Sequence, residues 1–241
     1  MNEVFSVANV SNREFLEQHA EAGRVGLVGG ETLVDKAIRH AERHVDAARQ
    51  TSRWSHALVF EGRRIDGEHW VIESDIHLAR KHLRLGAQEN RIEKYFDEAT
   101  FSSLAVLDFG LSGPQVRTLL REGLELVAGR ARYSLRELVG TLVALRDPGR
   151  RQQPNALARE GAFYCSAFVR HLFHKIGVEL APGLDPKHTT PEDLARSPAP
   201  HTTFLLERAS PLSRLRRAAN RLRRGTRKIR GSIRAAVRAG A

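Results

Sequence analysis

Gly161-Ala-Phe-Tyr-Cys165-Ser-Ala-Phe-Val-Arg170 contains the only cysteine among the 241 residues. Apolar residues at helical spacing follow it and predict a buried helix that begins near Cys165; they are Phe168, Val169, Leu172, Phe173 and Ile176. A cysteine in the first turn of a helix lies beside free backbone N–H groups and the positive end of the helix dipole, which favour a thiolate. The stretch is therefore compatible with a nucleophilic cysteine, and the alternative is a small thiol buried in the core.

The composition predicts one large domain, or one domain with extensions. The hydrophobic fraction of 41% is sufficient for a core. A single cysteine excludes a disulfide framework and fits a reducing compartment. We find no basic and then apolar leader after Met1 and no run of about 18 apolar residues, so we expect neither a secretory signal nor a membrane-spanning helix. The expected location is the cytoplasm.

The net charge of +11 is concentrated in the last part of the chain. Residues 208–241 contain 12 Lys and Arg and no Asp or Glu, which leaves 27 basic and 28 acidic residues elsewhere. Apolar residues in this tail recur mostly at spacings of three and four, which predicts a basic amphipathic helix interrupted by Gly225 and Gly231. Such a helix suits an anionic membrane surface, here the inner face of the membrane. Nucleic acid is the second interpretation and a disordered, solvated tail the third.

The rest of the chain reads as alternating strands and helices. Residues 1–23 are predicted to be a polar lead-in with a short helix near residues 13–22, and residues 24–207 one domain. Residues 44–53 are predicted to be an exposed extension, residues 75–90 a polar segment, and residues 91–98 a helix or loop. Strands are predicted at residues 24–28, 55–60, 69–74, 104–109 and 202–206, and helices at residues 31–40, 112–128, 134–145, 165–177 and 191–195.

The strands at residues 55–60 and 69–74 are predicted to form a hairpin that supplies a base. If the turn centres near residues 64–65, paired residues have numbers that sum to about 129, and His56 then lies opposite Glu73. An imidazole and an orienting carboxylate are what a cysteine nucleophile requires. Asp75, on the same strand face, and Asp66, in the turn, are alternative carboxylates. His40 and His44 have the i, i+4 spacing of some metal ligands, but we predict a solvated helix face there.

These residues resemble the circularly permuted NlpC-like branch of the papain-like fold. That branch includes bacterial YiiX-like proteins and is related to lecithin retinol acyltransferase-like enzymes. The resemblance covers about residues 24–207, and its catalytic order of His, polar residue and then Cys is the order found here. It rests on five short segments: the strand and helix of residues 24–40, Trp54-Ser55-His56, Val71-Ile72-Glu73, Tyr164-Cys165-Ser166 and Thr190–Ala195.

The resemblance implies an α+β, permuted papain-like (NlpC-type) fold, in which a small antiparallel sheet packs against helices. It implies that Cys165 is the nucleophile, His56 the base and Glu73 the orienting residue of a thiol-dependent hydrolase or acyltransferase. Such an enzyme cleaves an amide or ester bond of a peptide or acyl-lipid through a thioester, with no cofactor and no metal. The alternative function is a non-catalytic module that binds a membrane surface or nucleic acid through the basic tail.

Overall fold

The computed structural model describes residues 2–45, 48–79, 82–131, 135–147, 149–155 and 163–208. For residues 76–79, 82–85 and 135–137 the structure describes the backbone alone. The chain divides into two units, residues 1–206 and 207–241. Apart from Arg208, the predicted basic tail lies outside the described residues, so its helix stays a prediction.

The described residues form seven strands, six α-helices and four short 3-10 helices. The strands are β1 (Glu3–Ala8), β2 (Val25–Gly30), β3 (His56–Arg63), β4 (His69–Ala79), β5 (His82–Arg91), β6 (Phe101–Asp108) and β7 (Thr202–Glu207). The α-helices are α1 (Asn12–His19), α2 (Leu33–Ala41), α3 (Gly113–Ala128), α4 (Leu135–Ala144), α5 (Cys165–Lys175) and α6 (Pro191–Ala195). Short 3-10 helices cover Glu42–His44, Ile92–Tyr95, Arg150–Gln152 and Pro186–His188.

The strands form one seven-stranded sheet in the order β1-β7-β6-β2-β3-β4-β5. The pairs β2–β3, β2–β6, β3–β4, β4–β5 and β6–β7 are all antiparallel. Strand β2 lies at the centre and is buried along its whole length. Helices and a seven-stranded sheet in one unit confirm the predicted α+β class, and the permuted papain-like topology stays a prediction.

Each face of the sheet carries its own apolar core. Helix α5 packs on one face through Phe168, Leu172 and Phe173, against Ala57 and Ile72 of the sheet. The opposite face is covered by α1 and by the 3-10 helix Ile92–Tyr95. Side chains alternate between the faces of a strand, so His56 shares the second face with Leu58 and Phe60, which lie in that core.

The sequence analysis missed two strands, β1 and β5. Strand β1 lies at the edge of the sheet and is almost entirely exposed, so it lacks the buried alternate positions that mark a strand in sequence. Strand β5 is rich in polar residues, yet it pairs with β4 over ten positions from Trp70–Arg91 to Ala79–His82. The sheet therefore continues beyond β4 through backbone hydrogen bonds to β5, which the residue types of β5 do not reveal.

A glycine without a side chain fixes how the chain enters β3. A Cβ atom at Gly29 of β2 would lie 2.0 Å from the backbone oxygen of Arg53. Only glycine lets the segment before His56 approach the central strand this closely. The nearby Ser55 hydroxyl accepts the Gly30 N–H at 3.0 Å. In the described residues, no helix has the length and apolar character needed to cross a bilayer.

Candidate active site

The structure places His56, the first residue of β3, beside Glu73 in the middle of β4. His56 Nε2 lies 2.5 Å from Glu73 Oε2. The predicted register is wrong by two residues, because Val59 pairs with Ile72 and their numbers sum to 131. His56 thus comes opposite Asp75 and reaches Glu73 diagonally, a contact that remains possible because both carboxylates lie on the same face of β4.

Glu73 is completely buried and surrounded by hydrogen-bond donors. Asn90 Nδ2 and Lys94 Nζ each donate to Oε1 at 2.6 Å, and the Tyr95 hydroxyl donates to Oε2, which also faces His56. Burial alone would raise the pKa of the Glu73 carboxyl, but the Lys94 charge and the contact with His56 outweigh it and hold that pKa far below its usual range. Glu73 is therefore a fixed anion against the imidazole.

Asn90, Lys94 and Tyr95 were not predicted as site residues. Each acts through Glu73, and none belongs to a motif that the sequence analysis identified. Asn90 is the penultimate residue of the polar strand β5, and the other two lie in the 3-10 helix that follows it. In the sequence, Asn90, Lys94 and Tyr95 follow one another closely after a run of polar residues. This spacing does not indicate that all three donate a hydrogen bond to the same carboxylate.

Cys165 is the first residue of α5, as predicted, and Tyr164 is the residue before the helix. The cysteine is 4% exposed and packs in one apolar cluster with Ile38 of α2 and Leu138 of α4. The first N–H groups of a helix have no partner within it and point toward an anion at this position. The thiol therefore lies where a helix end supplies donors and apolar side chains limit the access of water.

Hydrogen bonds around the start of α5 fix the position of the cysteine. The Ser74 hydroxyl of β4 donates to the Phe163 oxygen at 2.6 Å. The Tyr164 and Ser166 hydroxyls donate to the Thr189 oxygen at 2.7 Å and 2.8 Å. The residues before and after Cys165 are thus tied to the sheet and to the segment that leads into α6.

His56 contacts the carboxylate and interacts with the thiol. Its Nε2 is hydrogen bonded to Glu73, and Cys165 interacts with the ring electrostatically. Since Nε2 faces Glu73, the nitrogen that remains for the sulfur is Nδ1. Burial disfavours the charged ring, but the Asp75 charge and the contacts with Cys165 and Glu73 raise the pKa of His56 well above its usual range. A protonated imidazole beside a thiol favours the thiolate form.

The alternative carboxylates lie in different positions. Asp66 remains in the β3–β4 turn, where it accepts the Glu68 N–H at 3.0 Å and the Trp70 indole N–H at 3.2 Å. Asp75 belongs to the site, because its Oδ2 lies 2.6 Å from Lys94 Nζ. It raises the pKa of His56 through its charge, whereas Glu73 makes the hydrogen bond to the ring.

His56, Glu73 and Asp75 carry side chains of the types that bind metal ions. Their potential ligand atoms lie within 4.8 Å of one another. However, the Lys94 ammonium lies 2.6 Å from an oxygen of both carboxylates and already provides the local positive charge. Glu73 Oε2 is further engaged by the Tyr95 hydroxyl. A divalent cation would have to displace Lys94, so these residues do not fit a metal.

The other histidines considered in the sequence lie apart from this cluster. His40 is exposed at the end of α2, and His44 follows in the 3-10 helix, so the continuous helix assumed for their i, i+4 spacing ends between them. His171 packs against Phe163 with ring centroids 4.7 Å apart. Burial lowers the pKa of His171, and His174 is exposed on α5.

A cleft of about 540 Å³ opens beside His56. Its apolar wall comes from β2, α2, β6 and α4, and the polar groups cluster around the imidazole. Ile38 and Leu138 of this wall also pack around Cys165, so the cleft and the buried thiol share these two side chains. The lining residues are Val28, Thr32, Val34, Asp35, Ile38, Ser55, His56, Asp75, Lys94, Tyr95, Thr100, Phe101 and Leu138.

Comparison with known proteins shows similarity to solved structures. No protein-family model and no curated protein matches the chain. The chain is similar to the crystal structure of metalloprotein yiiX from Escherichia coli O157:H7, with a TM-score of 0.49 and 13% sequence identity. The similarity covers 79% of this chain and 98% of that chain. Proteins that are alike at this level need not share a chemistry.

Proposed function

We propose that this chain is a thiol-dependent hydrolase or acyltransferase of the permuted papain-like type, with Cys165, His56 and Glu73 as its triad. The observation that carries the proposal is the largely buried imidazole of His56, which is hydrogen bonded to Glu73 through Nε2 and interacts electrostatically with Cys165 at the start of α5. A nucleophile, a base in contact with it and a third group that orients the base form the arrangement used in covalent acyl transfer.

The proposed mechanism has two steps and begins with a Cys165 thiolate and a His56 imidazolium. The Cys165 sulfur attacks the acyl carbon of an amide or ester, and the carbon–sulfur bond forms as the carbonyl oxygen becomes negative. The bond to the leaving group then breaks, and the His56 imidazolium transfers its proton to that group. Water or another acceptor, deprotonated by His56, attacks the thioester and restores the thiolate and the imidazolium. The N–H groups at the start of α5 would stabilise the oxyanion.

The lining of the cleft favours an apolar acyl group over a polar peptide. Val28, Val34, Ile38, Phe101 and Leu138 form the apolar wall, and burial of each methylene against such a wall contributes about 0.8 kcal/mol. Leu33 and Val34 of α2 are 88% and 60% exposed, which extends this apolar surface outward. We therefore propose an acyl-lipid as the substrate class and retain a peptide with an apolar side chain as the second candidate.

The basic residues 208–241 fit the same proposal. A segment with 12 Lys and Arg and no acidic residue is attracted to anionic lipid, at about 1 kcal/mol per basic residue near the surface. We propose that it holds the enzyme at the inner surface of the membrane, where an acyl-lipid would be available. The similar solved structure is described as a metalloprotein, but the position of Lys94 argues against a metal-dependent step in this chain.

Selective labelling of the single cysteine tests the proposed triad. Iodoacetamide labels one position in this chain, because Cys165 is its only cysteine. We expect His56→Ala to slow labelling near pH 7 at least about tenfold, because the thiolate loses its imidazolium partner. His174→Ala on the exposed side of α5 is the matched control and should change the rate less than about twofold. Equal rates in wild type and His56→Ala would refute the triad.

The substrate class requires a separate screen. Acyl-lipid and peptide libraries are incubated with wild type and with Cys165→Ala, and the products are compared by mass spectrometry. A fatty acid or a transferred acyl chain that appears with wild type alone supports the lipid proposal. Cleaved peptides alone would transfer the proposal to the second candidate. A reactive cysteine with no product in either library would favour the non-catalytic binding module.

A further inference from the structure

A second buried carboxyl group, that of Glu42, lies close to the nucleophile and has no role in the mechanism above. Glu42 begins the 3-10 helix directly after α2 and is 1% exposed. Its Oε2 accepts the Glu192 N–H of α6 at 3.1 Å. Its Oε1 is buried and has no hydrogen-bond partner among the described residues.

The groups around Glu42 are predominantly acidic. Glu192 and Asp193 of α6 and the Cys165 thiol of α5 all interact with it electrostatically, and the Ser52 hydroxyl is its neutral polar neighbour. The hydroxyl of Ser52 also donates to Glu192 Oε2 at 2.8 Å. The segment that was predicted to be an exposed extension therefore contributes a buried residue to this cluster.

The nearby cations pair with other acids. Arg196 pairs with Glu192, Arg151 with Asp193, and Arg39 with Glu31. No ion pair involves Glu42 in the part of the chain that the structure describes. An ionised carboxylate at this depth would remain uncompensated, which is strongly unfavourable. Burial first, and then the charges of Asp193 and Glu192, raise the pKa of Glu42 well above its usual range.

We propose that Glu42 is held as a neutral carboxylic acid and is a positioning residue for the Cys165 thiolate. Its burial keeps it from touching the substrate, so it acts through its neighbours. The proposal rests on the proposed function, since it presumes that Cys165 reacts as a thiolate.

Position is the first part of this role. Ile38 lies one helical turn before Glu42, and it packs against Cys165 and lines the cleft. The bond from the Glu192 N–H ties this end of α2 to the start of α6. Thr189, just before that helix, accepts the Ser166 hydroxyl next to Cys165. Glu42 thus connects the cleft wall to the segment that holds the nucleophile.

Charge is the second part. The Cys165 thiolate and the Glu42 carboxylate interact unfavourably when both are ionised. A neutral Glu42 spares the thiolate a second negative charge within the same buried region. An acid at this position supplies an acceptor for the Glu192 N–H without a permanent charge, and an amide would do the same.

Unfolding by urea as a function of pH tests the neutral state, with Glu42→Gln as the isosteric variant. A carboxyl whose pKa is raised in the folded state destabilises the protein as pH rises above the value of free Glu, about 4.3. The folding constant of wild type relative to Glu42→Gln should therefore fall up to tenfold per pH unit from there until Glu42 ionises, and the ratio should be constant below pH 4. Glu73→Gln is the control of opposite sign, because its carboxyl is ionised in the folded state. A parallel pH dependence in wild type and Glu42→Gln would overturn the proposal.

The labelling rate of Cys165 at pH 7 tests the positioning role. We expect Glu42→Gln to remain within about twofold of wild type and Glu42→Ala to be at least about tenfold slower, since alanine leaves the Glu192 N–H without its acceptor. A rate for Gln as low as that for Ala, or a rate for Ala equal to wild type, would overturn this role. The urea series does not depend on a reactive cysteine. The urea series can therefore contradict a neutral Glu42 while His56→Ala still slows labelling, which would leave the proposed triad intact. It can equally support a neutral Glu42 when His56→Ala labels at the wild-type rate, which would refute the triad alone.

Discussion

Lys94 Nζ lies 2.6 Å from Glu73 Oε1, inside the cluster that orients His56. The same ammonium lies 2.6 Å from Asp75 Oδ2, so one lysine bridges two carboxylates. We expect Lys94→Met to lower the free energy of unfolding by about 3 kcal/mol, because it leaves a buried carboxylate without this cation. Urea denaturation at pH 7 measures the loss.

The control for this variant is Lys36→Met. Lys36 pairs with Glu31 at 3.3 Å, but its side chain is 57% exposed, and exposed pairs contribute less than about 1 kcal/mol. Similar losses in the two variants would contradict a special role for Lys94.

Glu73 makes the stability of the protein depend on acid. Its pKa in the folded state lies below that of an unfolded chain, so its stabilising contribution is present above about pH 4.3 and is lost as pH falls through the folded value. Glu73→Gln should be less stable than wild type at pH 7, and the difference should shrink as the pH is lowered toward 2. Urea denaturation between pH 2 and pH 7 measures this, and a difference that is constant with pH would rule it out.

His56 should titrate at a higher pH than an ordinary histidine. Asp75 and Cys165 both raise its pKa against the opposing effect of burial. Asp75→Asn and Cys165→Ser should therefore each shift its titration to lower pH, as followed by NMR of the ring C–H signals. The His171 signal is the internal control, since that ring packs on Phe163 and should titrate below the usual value in all variants. An unchanged His56 titration in Cys165→Ser would exclude the ion pair.

The raised pKa of His56 also predicts how the free energy of unfolding changes with pH. A histidine whose pKa is raised by folding stabilises the folded state most below the unfolded value of about 6.5, and this contribution disappears as pH rises through the folded value. His56→Gln should therefore lose stability relative to wild type mainly at acidic and neutral pH. A loss that grows toward alkaline pH would be the opposite of this expectation.

Gly29→Ala should destabilise the protein by about 3 kcal/mol. Its methyl group would lie 2.0 Å from the Arg53 backbone oxygen, and backbone cannot yield as a flexible side chain does. Gly149→Ala is the control, because the nearest atom to its new methyl is a side-chain oxygen of Asp147 at 3.4 Å. Thermal denaturation compares the two, and equal midpoints would show that the strand entry before His56 can adjust.

The sequence was informative where residue type and period determine local structure. The apolar spacing after Cys165 predicted α5, and the strand around Glu73 was recognised by its apolar residues. The partner of His56 was predicted correctly although the register was not, because a shift of two residues leaves the same face of β4 toward it. A shift of one residue would have turned Glu73 away.

The rest of the site depends on pairing between distant segments. Asn90, Lys94 and Tyr95 reach Glu73 only because β5 continues the sheet and the 3-10 helix folds back over its face. Glu42 is 150 positions from its partner Glu192. A polar side chain of this kind looks solvated in sequence, since burial is decided by packing between elements that no local period relates.

Strand β7 lies between β1 and β6 in the sheet, although it is the last strand of the described residues. Strand β1 is synthesised long before β7, so its neighbour in the sheet is missing until residues 202–207 have been made. The imidazole and its carboxylate are made early, whereas the sulfur enters more than 90 residues after Glu73. The three side chains of the proposed triad can therefore meet only after residue 165 has been synthesised, and β7 joins the sheet later still.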